Sequence, residues 1–158
     1  MGSATRQNGN VEFQAELVAP VAPAALYPWV ADLAQYPRWL DLVANAEAED
    51  RGVGELAAWA VTLTARLGPF RRSKRLRMVR VLEQEPSRLE FVRREADGRA
   101  HSVWRLSATL QDTAAGTRLS MGLYYGGTLW VPMLEGLLGN QVETGRDRLV
   151  ALAVSEPQ

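Results

Sequence analysis

Residues 132–154, PMLEGLLGNQVETGRDRLVALAV, carry the one long helical pattern in this chain of 158 residues. Leu134, Leu138, Val142, Gly145, Leu149 and Leu152 recur at helical spacing. Pro132 stands at the start, where a missing N–H costs nothing. Gly136, Gly139 and Gly145 each cost a helix about 1 kcal/mol relative to Ala. Either something offsets them (a close backbone approach, a ligand or a bend), or the first two turns are locally irregular.

Most of what precedes this helix alternates with period two, the mark of half-buried strands. VEFQAELVA, 11–19, sets Val11, Phe13, Ala15 and Leu17 against Glu12, Gln14 and Glu16. In ELAAWAVTLTARL, 55–67, Trp59, Val61, Leu63, Ala65 and Leu67 share a face, and Gly68-Pro69 turns the chain. SKRLRMVRVLE, 73–83, reads as a strand of mixed parity: Leu76, Met78 and Leu82 lie with Arg80, Val79 and Val81 with Arg75 and Arg77. A bulge reconciles the two. RLEFVRRE, 88–95, places Leu89, Phe91, Arg93 and Glu95 together, and Asp97-Gly98 predicts a two-residue hairpin turn. HSVWRLSATLQD, 101–112, and TRLSMGLYY, 117–125, complete the run, with Trp104, Leu106, Ala108, Leu110, Leu119, Met121, Leu123 and Tyr125 inward.

Between the first strand and this run, Leu26, Trp29, Val30 and Leu33 form one helical face from Pro23 onward. A residue before proline avoids helical angles, so the helix is expected to end before Tyr36. Pro37 then opens a second short helix with Trp39 and Leu42. The predicted fold is α+β: about seven antiparallel strands, two short helices after the first, and one long C-terminal helix. Residues 11–154 form a single domain, between a flexible polar tail at 1–10 and a short tail at 155–158. A helix ~10–12 Å wide cannot cover seven strands spaced ~4.8 Å apart. The sheet must curl around it, and side chains or a guest must fill the gap.

Composition removes several chemistries. There are no cysteines, hence no disulfide, thiolate nucleophile or cysteine metal site. His101 is the sole histidine, expected exposed, and a zinc site needs three or four ligands, so neither metal nor cofactor is expected. No stretch approaches the ~18 apolar residues of a membrane span, and the opening residues lack the pattern of a secretory signal. A cytoplasmic location fits. Net charge is zero but uneven: 12–55 holds eight acids and two bases, 66–105 twelve bases and five acids. RRSKRLRMVR, 71–80, carries six bases. The wet face of a strand explains the run. The other reading is an anionic partner docked at Arg71, Arg72, Lys74 and Arg75. Nucleic acid is not favoured, because no exposed aromatics interleave with the bases.

The order of elements is that of the helix-grip fold. VAPVAPAALYPWVADLAQYPRWLDLV, 18–43, resembles the N-terminal signature of the START-related polyketide cyclase and lipid-transport superfamily (SRPBCC), through Ala19-Pro20, Leu26-Tyr27, Asp32 and Tyr36-Pro37-Arg38-Trp39. LGPF (67–70), EPSRLEF (85–91), WRLSATLQDTAAGTRLS (104–120) and the closing helix are similar to the same family. The resemblance spans roughly 11–154 and is specific for fold, not function, because the superfamily hosts carriers, enzymes and receptors on one frame.

The resemblance implies a cavity between the short helices, the sheet and the long helix. Inward-reading residues would line it: Trp59, Leu63, Phe91, Trp104, Met121, Tyr125, Leu134, Leu138 and Val142. The expected function is binding of a hydrophobic small molecule, lipid-like or polyketide-like. One alternative is a metal-free aromatase/cyclase acting on polyketide chains, with Arg93 and Tyr125 as catalytic candidates. Another is a macromolecule-binding module using the basic strand. Trp29 and Trp39 are expected to hold the short helices to the sheet, and the resemblance implies that some rings of that stretch also form the cavity wall.

Overall fold

The computed structural model describes the backbone at 2–7 and 10–155, and the side chains at 10–66, 68–131, 134 and 141–155. In chain order the elements are β1 (Gly2–Gln7), β2 (Asn10–Ala19), α1 (Pro23–Ala31), the 3-10 helix η1 (Leu33–Arg38), β3 (Val43–Glu49), β4 (Ala57–Leu67), β5 (Phe70–Gln84), β6 (Arg88–Arg93), β7 (Trp104–Thr113), β8 (Gly116–Tyr125) and α2 (Val131–Ser155). The strands form one curved, wholly antiparallel sheet in the order β1-β2-β8-β7-β6-β5-β4-β3. The fold is α+β and of the helix-grip type, with α2 against the inner face of the sheet.

Four local expectations change. Gly2–Gln7, expected as flexible tail, pairs with β2 from Gly2↔Ala15 to Gln7↔Asn10 and supplies an eighth strand. Its residues alternate too weakly in polarity to read as a strand, and backbone pairing decides the matter. The rest of the two expected tails, residues 1, 8, 9 and 156–158, lies outside the described residues, while Ser155 belongs to α2. β3 was not anticipated; of its residues only Val43 and Ala46 are buried.

The first helix ends at Ala31, before Tyr36 as expected, and the break falls at Asp32. Asp32 is extended (φ −110°, ψ 109°) and its carboxylate accepts from the Ala34 N–H at 3.0 Å, capping η1. Pro37 therefore falls inside η1 rather than opening a helix. Lastly, Asp97-Gly98 is not a two-residue hairpin, since residues 94–103 all lie between β6 and β7. The side chains that would have extended the strands are engaged elsewhere. Glu95 accepts from the Arg77 backbone N–H at 3.1 Å and from Arg93 at 3.1 Å, and Asp97 binds His101 at 2.8 Å.

The mixed parity of 73–83 resolves as a bulge, because the β5–β6 register shifts between Arg80 and Leu82. Leu76 and Met78 point into the core, opposite Val61 and Trp59 of β4. Val79 is also buried, across from Ala58, and both lie outside the main apolar cluster. Gly68 (φ +61°) and Gly116 (φ +123°) serve the turns that lead into β5 and β8. A Cβ at Gly116 would collide with the Ala19 carbonyl oxygen, so the start of β8 can pack against the end of β2 only as glycine.

Candidate functional site

The residues of the YPRW stretch clamp the two short helices. Tyr36 donates from its hydroxyl to the Val30 carbonyl at 2.9 Å, and Trp39 donates its indole N–H to the Trp29 carbonyl at 3.2 Å. Tyr36 and Trp39 stack with ring centroids 4.5 Å apart. Trp29 is fully buried with the Arg38 guanidinium 4.8 Å from its ring. From β4, Trp59 donates to the Asp32 carboxylate at 3.1 Å, and from β5, Arg80 donates to the Ala31 carbonyl at 2.8 Å. This corner is thus locked to the sheet by hydrogen bonds at its hinge. Tyr36 and Trp39 turn their remaining ring faces to the interior.

There they meet a cavity of about 150 Å³ between η1, the sheet and α2. β2, β3, β4, β5, β7 and β8 all contribute to its wall, through residues such as Phe13, Leu63, Met78, Leu106 and Leu123. Ala15, Leu17, Leu106, Met121, Leu123 and Val142 are inward residues that keep partial exposure and line this space. From α2 come Val142, Gly145, Arg146 and Leu149, spaced i, i+3, i+4 and i+7 along one helical face. Gly145 answers the glycine question for that position, because a Cβ there would lie 3.0 Å from the Trp39 carbonyl oxygen. Close approach of two backbones favours it.

Among the described lining residues the ionisable side chains are Glu16, Tyr36 and Arg146. Glu16 is exposed and accepts from Ser120 at 3.3 Å. Burial pushes the Tyr36 phenol well above its ordinary value, so it stays neutral and keeps its bond to Val30. Arg146 is different. Its Nε and Nη2 are enclosed without a hydrogen-bond partner among the described residues. Its Nη1 lies 3.7 Å from the Glu143 carboxylate, whose side chain is 73% exposed.

Of the residues expected to line the cavity, Leu63, Trp104, Met121 and Val142 do so. Trp59 and Phe91 do not, and pack on each other edge to face at 5.6 Å behind it. Leu134 is fully buried but not on the wall, and the side chain of Leu138 lies outside the described ones. Tyr125 is drawn away to brace the approach to α2. Its ring is 4.6 Å from that of Trp104, its hydroxyl accepts from the Trp130 N–H at 3.3 Å, and a Cβ at Gly127 would strike it. Arg93 pairs with Glu95 at 3.1 Å and reaches Ser102 at 3.3 Å. Neither Arg93 nor Tyr125 lines the cavity.

The basic run 71–80 is divided by strand parity and the bulge. Arg71, Arg72 and Arg75 are exposed, and Lys74 is half-buried with its pKa lowered, first by burial and then by Arg93. Arg77 and Arg80 are engaged by partners within the protein instead. Arg77 binds both oxygens of Glu55 at 2.8 and 3.0 Å, while Arg94 approaches the same carboxylate at 3.6 Å. Hydrogen bonds from Arg77 bring the Glu55 carboxyl down to about 2, although burial opposes the shift. Glu55 and Arg146 both escaped expectation. Glu55 opens the alternating stretch 55–67, but the strand itself begins only at Ala57 and Glu55 lies in the irregular segment before it. Arg146 had a signal in its i+4 spacing from Val142.

Among the described residues no group of three or more His, Asp or Glu is placed to hold a metal ion, and no helix is long and apolar enough to cross a membrane. No protein-family model and no curated protein matches the chain. Solved structures do share its fold. The di-domain ARO/CYC protein BexL from the BE-7585A biosynthetic pathway superposes with a TM-score of 0.68 at 12% identity, over 94% of this chain and 51% of its own. The chain thus spans about half of that protein. TTHA0849 from Thermus thermophilus gives 0.66 at 19% identity, covering 91% and 97%. The protein Ara h 8.0201 gives 0.62 at 13% identity, covering 93% and 99%. At these identities the likeness is one of fold.

Proposed function

We propose that the protein binds a hydrophobic small molecule, lipid-like or polyketide-like, in the space between sheet and α2, as a member of the SRPBCC superfamily. The observation that carries this reading is the wall itself: a partly open cavity of about 150 Å³ bounded by apolar side chains from six strands and two helices. An apolar cavity of roughly this size in another protein stays dry and takes up benzene. A guest of one or two fused rings or a short chain fits the space as it stands, and a larger one requires α2 to shift. The helix-grip likeness to BexL and Ara h 8.0201 supports the reading at the level of architecture.

The aromatase/cyclase alternative draws on the ARO/CYC designation of BexL. It needs an acid or base inside the cavity. Arg93 and Tyr125 are held by partners elsewhere, Tyr36 is committed to Val30, Glu16 is exposed and bonded to Ser120, and the guanidinium of Arg146 donates hydrogen bonds but does not transfer a proton. Binding without turnover is therefore the better-supported function. Titration of delipidated protein with naphthalene, followed by its fluorescence, tests it. Saturable binding of one molecule per chain is expected, with native mass spectrometry of untreated protein showing a co-purifying apolar compound. If naphthalene fails to bind and no compound co-purifies, the reading is wrong.

A further inference from the structure

We infer that the cavity is built for an anionic amphiphile, an apolar body ending in a carboxylate, and that Arg146 is the residue that receives the acid group. The inference rests on the binding reading above and specifies the ligand class. Nε and Nη2 of Arg146 hold three of the five N–H donors of a guanidinium. They have no acceptor among the described residues and are enclosed at the wall of a space that is apolar apart from the exposed Glu16, which accepts from Ser120, and the Tyr36 hydroxyl, which is committed to Val30. A buried donor without a partner is costly, and a charged one more so. The side chain is only 20% exposed, so water does not fully replace the missing partner. Glu143 neutralises it poorly, at 3.7 Å and from a largely solvated position.

The backbone under Arg146 is held in place. Gly145 seats α2 against the Trp39 carbonyl, and Arg148 binds Asp41 at 2.6 Å just past η1. Arg146 therefore keeps a fixed origin on the face that also carries Val142 and Leu149. A carboxylate can accept two parallel N–H bonds from a guanidinium, and Nε with Nη2 form one edge of that fork. The apolar tail would then lie along Met121, Leu106 and Tyr36. Such a ligand satisfies the orphaned donors and fills the void in one step.

Octanoate and 1-octanol, of equal chain length, separate the possibilities by calorimetric titration at pH 7. Octanoate should bind the wild-type protein about tenfold or more tightly than 1-octanol. Arg146→Met should bring the two to the same affinity. It should also leave the melting temperature of the ligand-free protein equal or higher, because it removes an unpartnered buried charge. A merely structural Arg146 would give the opposite, a lower melting temperature. Equal affinities for octanoate and octanol in wild type would overturn the inference while leaving hydrophobic binding intact. Failure of both compounds, with naphthalene also unbound, would remove the binding reading and the inference together.

Discussion

Glu55 shows how a residue just ahead of a strand can anchor the outer side of the sheet. Its side chain is 4% exposed, yet it remains ionised because Arg77 grips both carboxylate oxygens and the Gly52 N–H adds a third bond at 2.6 Å. The pKa drops from 4.5 to about 2. A depressed carboxylate pKa stabilises the fold fully above its unfolded value, and that contribution fades as pH falls toward the folded one. Glu55→Gln should therefore cost roughly 2 kcal/mol at pH 7 by urea denaturation. The gap to wild type should narrow between about pH 4.5 and about pH 2. A gap independent of pH would mean that the ion pair is not its source. Nothing in the sequence around residue 55 reveals this pair, because its partner lies 22 positions away on a neighbouring strand.

At the level of elements, most of the pattern was legible. Strands with clean alternation (β2, β4, β7 and β8) face as their side chains predict, and the long C-terminal helix begins and ends within a residue of its periodic stretch. Alternation fails where pairing alone sustains a strand, as in β1 and β3. It also fails where a single side chain redirects the backbone, as Asp32 does between α1 and η1. Proline grammar located a break in this region but not its position, because Asp32 caps η1 four residues before Tyr36. Asp32→Ala removes the cap and the Trp59 bond together and should destabilise the protein by about 2 kcal/mol. Asp32→Asn should recover most of that loss, as read from denaturation midpoints. Equal losses in the two variants would show that charge, not hydrogen-bond acceptance, holds the corner.

The whole molecule follows from a mismatch of widths. Eight strands share one face with a single long helix, so the sheet curves and the two short helices close one side. The expectation of a hollow needed only this comparison. Which side chains border it needed coordinates, because inward parity does not distinguish a wall residue such as Met121 from one packed behind the wall such as Phe91. Filling the space from α2 should abolish binding at little cost in stability. Val142→Trp is expected to weaken naphthalene at least about tenfold, with a melting temperature no lower than that of wild type. Undiminished binding would place the guest elsewhere on the protein. The most direct test is diffraction from crystals pressurised with xenon, which enters dry apolar cavities. Xenon density enclosed by Trp39, Met121 and Leu149 is the predicted result, and an interior that admits no xenon because side chains fill it would contradict the account.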